Sequence, residues 1–330
     1  MAILAFLAAC AIIGSVRTAT PASAAEVGAA KVGAAEVGAS EGTGRALGRS
    51  LGQATDPKDC LNCHDDPKIT GVLHTPHAVK GDPRTAFTTE GCQSCHGASE
   101  AHMARPAEGQ PRTPPEVVFA GAHASPVTAR NKLCLGCHET AAADHWQGSA
   151  HATANVACTS CHASHPAKDP VLVKASQAPI CFTCHAEQRA ANLRPSHHPV
   201  IEGVMTCGDC HNPHGSDGPN LIKTATVNDL CLTCHDEKRG PFLWEHAPVQ
   251  EQCTICHTPH GSVQARLLKQ RPPYLCQNCH EETLHNSQPM GGNTLPGGPT
   301  ASRIMALRAC LNCHSEIHGS NHPSGIRFSR

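Results

Sequence analysis

The motif Cys-x-x-Cys-His occurs ten times in this chain, beginning at Cys60, Cys92, Cys134, Cys158, Cys181, Cys207, Cys231, Cys253, Cys276 and Cys310. It takes up twenty of the 21 cysteines, where chance at this composition would give about 0.1 such motifs. The spacing has a chemical reason: the two thiols add across the vinyl groups of a porphyrin, and the adjacent histidine becomes the proximal ligand of the iron. Zinc ribbons and disulfide scaffolds also use paired cysteines, but neither requires a histidine after every second one. The expected cofactor complement is ten haem c.

The motifs fall into five units of two, and each unit carries two further histidines as candidate distal ligands. In the first (60–102), Cys60, Cys63 and His64 are followed by His77, then by Cys92, Cys95, His96 and His102. The second (134–165) runs Cys134, Cys137, His138, then His151, then Cys158, Cys161, His162 and His165. The third (181–214) has Cys181, Cys184, His185, His198, Cys207, Cys210, His211 and His214. The fourth (231–260) has Cys231, Cys234, His235, His246, Cys253, Cys256, His257 and His260. The last (276–318) has Cys276, Cys279, His280, His285, Cys310, Cys313, His314 and His318.

His165, His214 and His260 each stand three residues after a proximal histidine, and His77-Ala-Val, His198-Pro-Val and His246-Ala-Pro-Val recur at one place in their units. Ten proximal and ten distal histidines leave five spare: His74, His123, His145, His197 and His322. Four of these compete with an assigned ligand, His74 with His77, His123 with His102, His197 with His198 and His322 with His318. The pattern does not say which haem each distal histidine serves. Four methionines, Met103, Met205, Met290 and Met305, follow the leader, none at a repeated position, and they read as packing residues.

Composition argues that these cofactors supply the buried mass. Aromatic residues are 3%, and 28 Gly and 26 Pro interrupt regular elements throughout the 330 residues, so side chains alone offer little bulk for a core. The expected fold is a multihaem cytochrome c, mostly coil with short α-helices, elongated and with essentially no β-sheet. Val227 to Lys238 and Ala301 to Cys313 are the clearest helix candidates, and Asn212-Pro213-His214-Gly215 and Thr258-Pro259-His260-Gly261 read as turns. A formal charge of −1 gives no basic footprint for nucleic acid, and haem propionates would make the assembled protein acidic.

Residues 1–24 read as a signal peptide, with an apolar run to Val16 and an Ala-x-Ala site ending at Ala24, although no Lys or Arg precedes the run. Export suits covalent haem attachment. Leu7-Ala8-Ala9-Cys10 resembles a lipoprotein box, but the apolar run continues past Cys10, which reads as a plain leader cysteine. Residues 25–55 repeat Ala-Glu-Val-Gly-Ala and read as a low-complexity linker, leaving 56–330 as the cytochrome. After Ala24 no apolar run approaches the ~20 residues that span a bilayer.

Beyond the motif core, Cys181-Phe-Thr-Cys-His, Ser196-His-His-Pro-Val, Cys207 to Gly215, the run Asp236 to Val249 and the ending His318-Gly-Ser-Asn-His-Pro-Ser-Gly form a wider signature. From about Asp56 to Arg330 the chain resembles the periplasmic decahaem cytochromes of the MtrA/PioA/DmsE type. The resemblance implies bis-histidine haems and a periplasmic wire that enters an outer-membrane β-barrel porin. Its other partners would be an inner-membrane or periplasmic cytochrome as donor or acceptor, and an extracellular multihaem cytochrome. Such a wire serves metal reduction and Fe(II) oxidation equally, without bond chemistry at iron. A chain rich in Gly and Pro cannot itself face lipid, because its unpaired backbone groups need an insulating wall. Two other functions fit the same motifs: a soluble periplasmic shuttle or electron store, and a multihaem oxidoreductase with one open haem. The second requires His77, His102 or His318 not to be a ligand.

Overall fold

The attachment motifs themselves fold in one way. In all ten, the histidine amide donates to the carbonyl of the first cysteine, at 2.9–3.1 Å. This i to i+4 bond closes each motif into a single helical turn and sets the imidazole beside the two thiols. The structure, a computed structural model, describes residues 56–138, 143–280, 310–312, 314–323 and 325–328. The expected leader and linker (1–55), His285, Cys313 and nearly all of the helix expected over 301–313 lie outside the described residues.

The two motifs of a unit sit on different local structure. The first cysteine of each unit lies in a short helix: Pro57–Leu61, Val127–Leu135, Lys174–Cys181, Val227–Leu232 and Tyr274–Gln277. Local chemistry starts several of them. Pro57 follows an Asp56 cap whose side chain accepts from the Lys58 amide at 3.0 Å, and Thr226 caps with its hydroxyl accepting from Asp229 N–H at 3.0 Å. The helix expected over Val227 to Lys238 is split, because the backbone leaves helical geometry at His235 (φ −101°, ψ 52°) before the 3-10 turn Asp236–Lys238. Second motifs occupy one turn each, from Gln93–His96 to Cys310–Asn312. Among the described residues there are only isolated antiparallel bridges, such as His211 with Ile222 and His257 with Leu268.

An amide side chain ahead of the first motif binds it to the second. Asn131 Nδ2 donates to the Val156 carbonyl at 2.9 Å, and its Oδ1 accepts from Cys158 N–H at 2.9 Å. Asn228 does the same to Val249 and Cys253, and Gln177 to Val171 and Gly208. Paired donor and acceptor bonds of this kind satisfy buried backbone where there is no ladder to do so.

Few apolar side chains are buried. Among the described residues they are Trp146, Ala157, Ala178 and Ile222, against nine buried polar residues including Asn131, Thr206 and Ser262. Leu172, Leu243 and Val263 are 69–76% exposed, so hydrophobic packing of side chains cannot be the main source of stability.

Neighbouring units instead approach backbone to backbone. A β-carbon on Gly215 would fall 2.2 Å from the His145 carbonyl oxygen, and one on Gly261 2.0 Å from that of Ala191. Both glycines adopt positive φ (124° and 148°) and each directly follows a distal-ligand candidate, His214 or His260. The chain can turn there only because a side chain is missing. Gly261→Ala should therefore destabilise the holoprotein by about 2 kcal/mol or more in denaturant unfolding followed by circular dichroism. Asn131→Ala, which strands two buried backbone groups, should cost about 1–3 kcal/mol in the same measurement.

Candidate functional site: a series of imidazole pairs

Eighteen of the candidate histidines face one another in twos across a narrow gap. Nine pairs form: His64–His102, His138–His77, His96–His165, His185–His151, His162–His214, His235–His198, His211–His260, His280–His246 and His257–His318. Ring centroids are 5.8–6.4 Å apart, too far for rings in van der Waals contact. The separation is that of two imidazoles on opposite sides of one metal, with bonds of about 2 Å and about 1 Å more from each nitrogen to its ring centre. Each pair joins one motif histidine to one distal candidate. The tenth motif histidine is His314, and His285 lies outside the described residues.

The pairs do not close within units, unlike the self-contained arrangement of two haems and four imidazoles per unit. His77, His151, His198 and His246 each meet the first motif histidine of the following unit. In exchange His165, His214, His260 and His318 each meet the second motif histidine of the preceding unit. His64–His102, at the start of the series, is the one described pair made inside a unit.

Hydrogen bonds at Nδ1 fix which nitrogen faces the gap. His151 Nδ1 donates to the Pro213 carbonyl at 2.7 Å, His198 Nδ1 to Pro259 at 2.8 Å and His246 Nδ1 to Ile317 at 3.1 Å. Each acceptor is the residue before a distal histidine of the next unit. His96, His211 and His257 donate through Nδ1 to the carbonyls of Val117, Asn220 and Arg266 at 2.8–3.1 Å, His102 to Thr113 at 2.7 Å, and His314 to Arg327. A carbonyl can only accept, so Nδ1 carries the proton and the Nε2 lone pair is free for a metal. Asn220 and Arg266, with φ of 53° and 60°, lie in the left-handed region, which aims their carbonyls at the imidazoles. Burial, reinforced by neighbouring imidazoles (for His96 those of His64 and His102, for the others including the facing ring), pushes His77, His96, His165, His246, His260 and His318 below the usual imidazole range. They stay neutral at neutral pH, the form that binds metal.

Two of the spare histidines are engaged elsewhere. His197, the competitor of His198, uses Nδ1 on the Arg194 carbonyl at 2.5 Å and Nε2 on Glu202 at 2.9 Å, leaving no ring nitrogen for a ligand bond. His145 sits 3.9 Å from Asp217. The acceptors, and the amide staples at Asn131, Gln177 and Asn228, escape sequence reasoning because backbone carbonyls have no residue signature.

The thiols give the order of the sites. Within units, the first thiols are close enough to shift one another's protonation, Cys60 with Cys92, Cys134 with Cys158, Cys181 with Cys207, Cys231 with Cys253 and Cys276 with Cys310. Between units, Cys95 interacts with Cys137, Cys161 with Cys184, Cys210 with Cys234 and Cys256 with Cys279. Burial, then the neighbouring sulfur, pushes Cys92, Cys231 and Cys276 up to about 11. Successive motifs are therefore spatial neighbours, alternately through their first and second cysteines. Among the described residues no cluster of three or more His, Cys, Asp or Glu forms a bare metal-ion site, whereas a thiol pair plus two opposed imidazoles fits a haem c.

Paired thiols on single turns beside opposed imidazoles define a multihaem c-type cytochrome, an electron-transport protein that binds haem c. Family profiles agree: the doubled CXXCH motif matches residues 197–240 and 246–285, and the cytochrome c-type protein NrfB-like family matches 92–175. The chain is 39% identical over 273 residues to multiheme cytochrome MtrA of Shewanella baltica (strain OS185), covering 82% of this chain and 80% of that one. It is 30% identical over 148 residues to cytochrome c-type protein NrfB of Escherichia coli O6:H1, covering 43% and 73%. The chain belongs to the MtrA family of multihaem cytochromes.

Exchange of ligands between units has a direct test. His165→Ala should convert one low-spin haem to high spin in electron paramagnetic resonance. That signal should vanish when Cys92 and Cys95 are also replaced by Ser, and persist when Cys158 and Cys161 are replaced instead. Ligation within units predicts the reverse.

Proposed function

We propose that the chain is a decahaem conductor in which every iron is held between two imidazoles, so that electrons pass along it without bond chemistry. The observation that carries this reading is the set of nine opposed pairs, to which His314 and His285 would add a tenth. In each, the motif cysteines anchor the cofactor, the motif histidine binds one face and the paired histidine occupies the other. The bound haem supplies a one-electron iron couple whose potential its axial ligands and surroundings set. Nδ1 hydrogen bonds fix ring orientation, and the saturated faces keep water and small substrates from the metal. Neighbouring motif cysteines bring successive sites close together, making the path of transfer follow the chain order from Cys60 to Cys310.

We place this conductor in the periplasm, exported by the leader at 1–24 and crossing the outer membrane inside a β-barrel porin for extracellular electron transfer. The family supports the role, and so does physical chemistry. No described helix is long and apolar enough to cross a membrane, and a coil-rich backbone needs a surrounding wall at membrane depth. The donor or acceptor on the inner side is an inner-membrane or periplasmic cytochrome, and an extracellular multihaem cytochrome takes the outer end.

Purification of the holoprotein from native membranes tests both levels. The expected product contains a barrel protein, has ten haems per chain and shows only low-spin iron. A stable five-coordinate iron that binds nitrite or hydroxylamine would overturn the conductor. An entirely low-spin protein without a barrel would remove the transmembrane role alone.

A further inference from the structure

Second-motif histidines differ in what receives their Nδ1 proton. His96, His211, His257 and His314 donate to neutral backbone carbonyls. His162 donates instead to a carboxylate, Asp169 Oδ2, at 2.6 Å. The other oxygen, Asp169 Oδ1, accepts from Ala163 N–H at 3.2 Å and Val171 N–H at 3.3 Å. Three N–H donors thus face the carboxylate, whose side chain is 15% exposed. On the opposite side of the pair Trp146, 8% exposed, stands edge-on to His214 with centroids 6.2 Å apart, shielding that face from water.

We propose that Asp169 is a positioning residue that gives His162 partial imidazolate character and sets the fourth site in the series to a lower reduction potential than a carbonyl acceptor would. The inference rests on the reading of His162 and His214 as axial ligands of one haem. A carboxylate on the outer nitrogen raises the basicity of the ligating one, and a charge-assisted hydrogen bond is about twice as strong as a neutral one. A more basic ligand stabilises the ferric over the ferrous ion, so the midpoint falls. The Asp169 side chain, only 15% exposed, keeps this bond partly out of water, which strengthens the effect. Burial alone acts the other way, favouring the less charged ferrous site, so the comparison must keep Trp146 in place.

Asp169→Asn in the full holoprotein provides that comparison, since Asn keeps an acceptor for the imidazole while removing the charge. In spectropotentiometric titration one haem's share of the amplitude should shift upward by about tenfold in its reduction equilibrium, roughly 59 mV for a one-electron couple. The same variant should change the g-values of one low-spin ferric signal, and Asp169→Glu should restore both. A low-spin Asn variant with titration curve and g-values superimposable on the parent would overturn the proposal. If Asp169→Asn turns the site high spin, the Glu variant decides: low-spin iron with the parent potential supports the proposal, and low-spin iron with a raised potential overturns it. High-spin iron at this site in the parent would instead defeat the ligation on which the inference rests.

Discussion

Two imidazoles from different units on one iron are, on the proposed ligation, the contact by which each unit holds its neighbour. Unit n sends a histidine forward and receives one back, so two metal centres bridge every junction. This explains how a chain with four buried apolar residues among those described can be ordered at all. Its strongest long-range links would be coordination bonds around covalently fixed cofactors, and hydrophobic burial of side chains plays a smaller part than in an ordinary domain. The polar staples at Asn131, Gln177 and Asn228 align the two motifs of a unit before a junction can form.

The same arrangement serves conduction. On the proposed ligation, opposed imidazoles would occupy both faces of each iron, while the motif cysteines set successive sites side by side through alternating first and second thiols. A site clamped on both sides reorganises little when its charge changes, and its Nδ1 acceptor limits how far the ring can turn. The left-handed backbone at Asn220 and Arg266 is local strain retained where it aims a carbonyl at a ligand. Strain of that kind is ordinary at functional sites and costly elsewhere.

Much of this was legible in the residues. Covalent attachment demands a fixed motif, so the cysteines and their histidines announce themselves, and the Pro-His-Gly turns at 213–215 and 259–261 show where the chain must double back. The choice between His197 and His198 was not legible, because it depends on Glu202 and the Arg194 carbonyl reaching the His197 ring. Nor was the exchange between units, since repeated spacing is the same whether a histidine folds back on its own unit or reaches the next one. Asp169 looked like any loop carboxylate until its distance to His162 was known.

With the pairs known, the spacings at the ends acquire a physical meaning. His77, His151 and His198 stand thirteen residues after the first motif histidine of their unit and His246 eleven, enough chain to reach forward, whereas His285 follows His280 by five. A tether of five residues gives His285 less chain for reaching forward than its counterparts have. At the other end His102 follows His96 by six residues, not the three of His165, His214 and His260. The added residues include the helical turn Glu100–Met103, which places His102 opposite His64 of its own unit. The irregular spacing at His102 thus falls at the one described pair that is made within a unit and not exchanged with a neighbour.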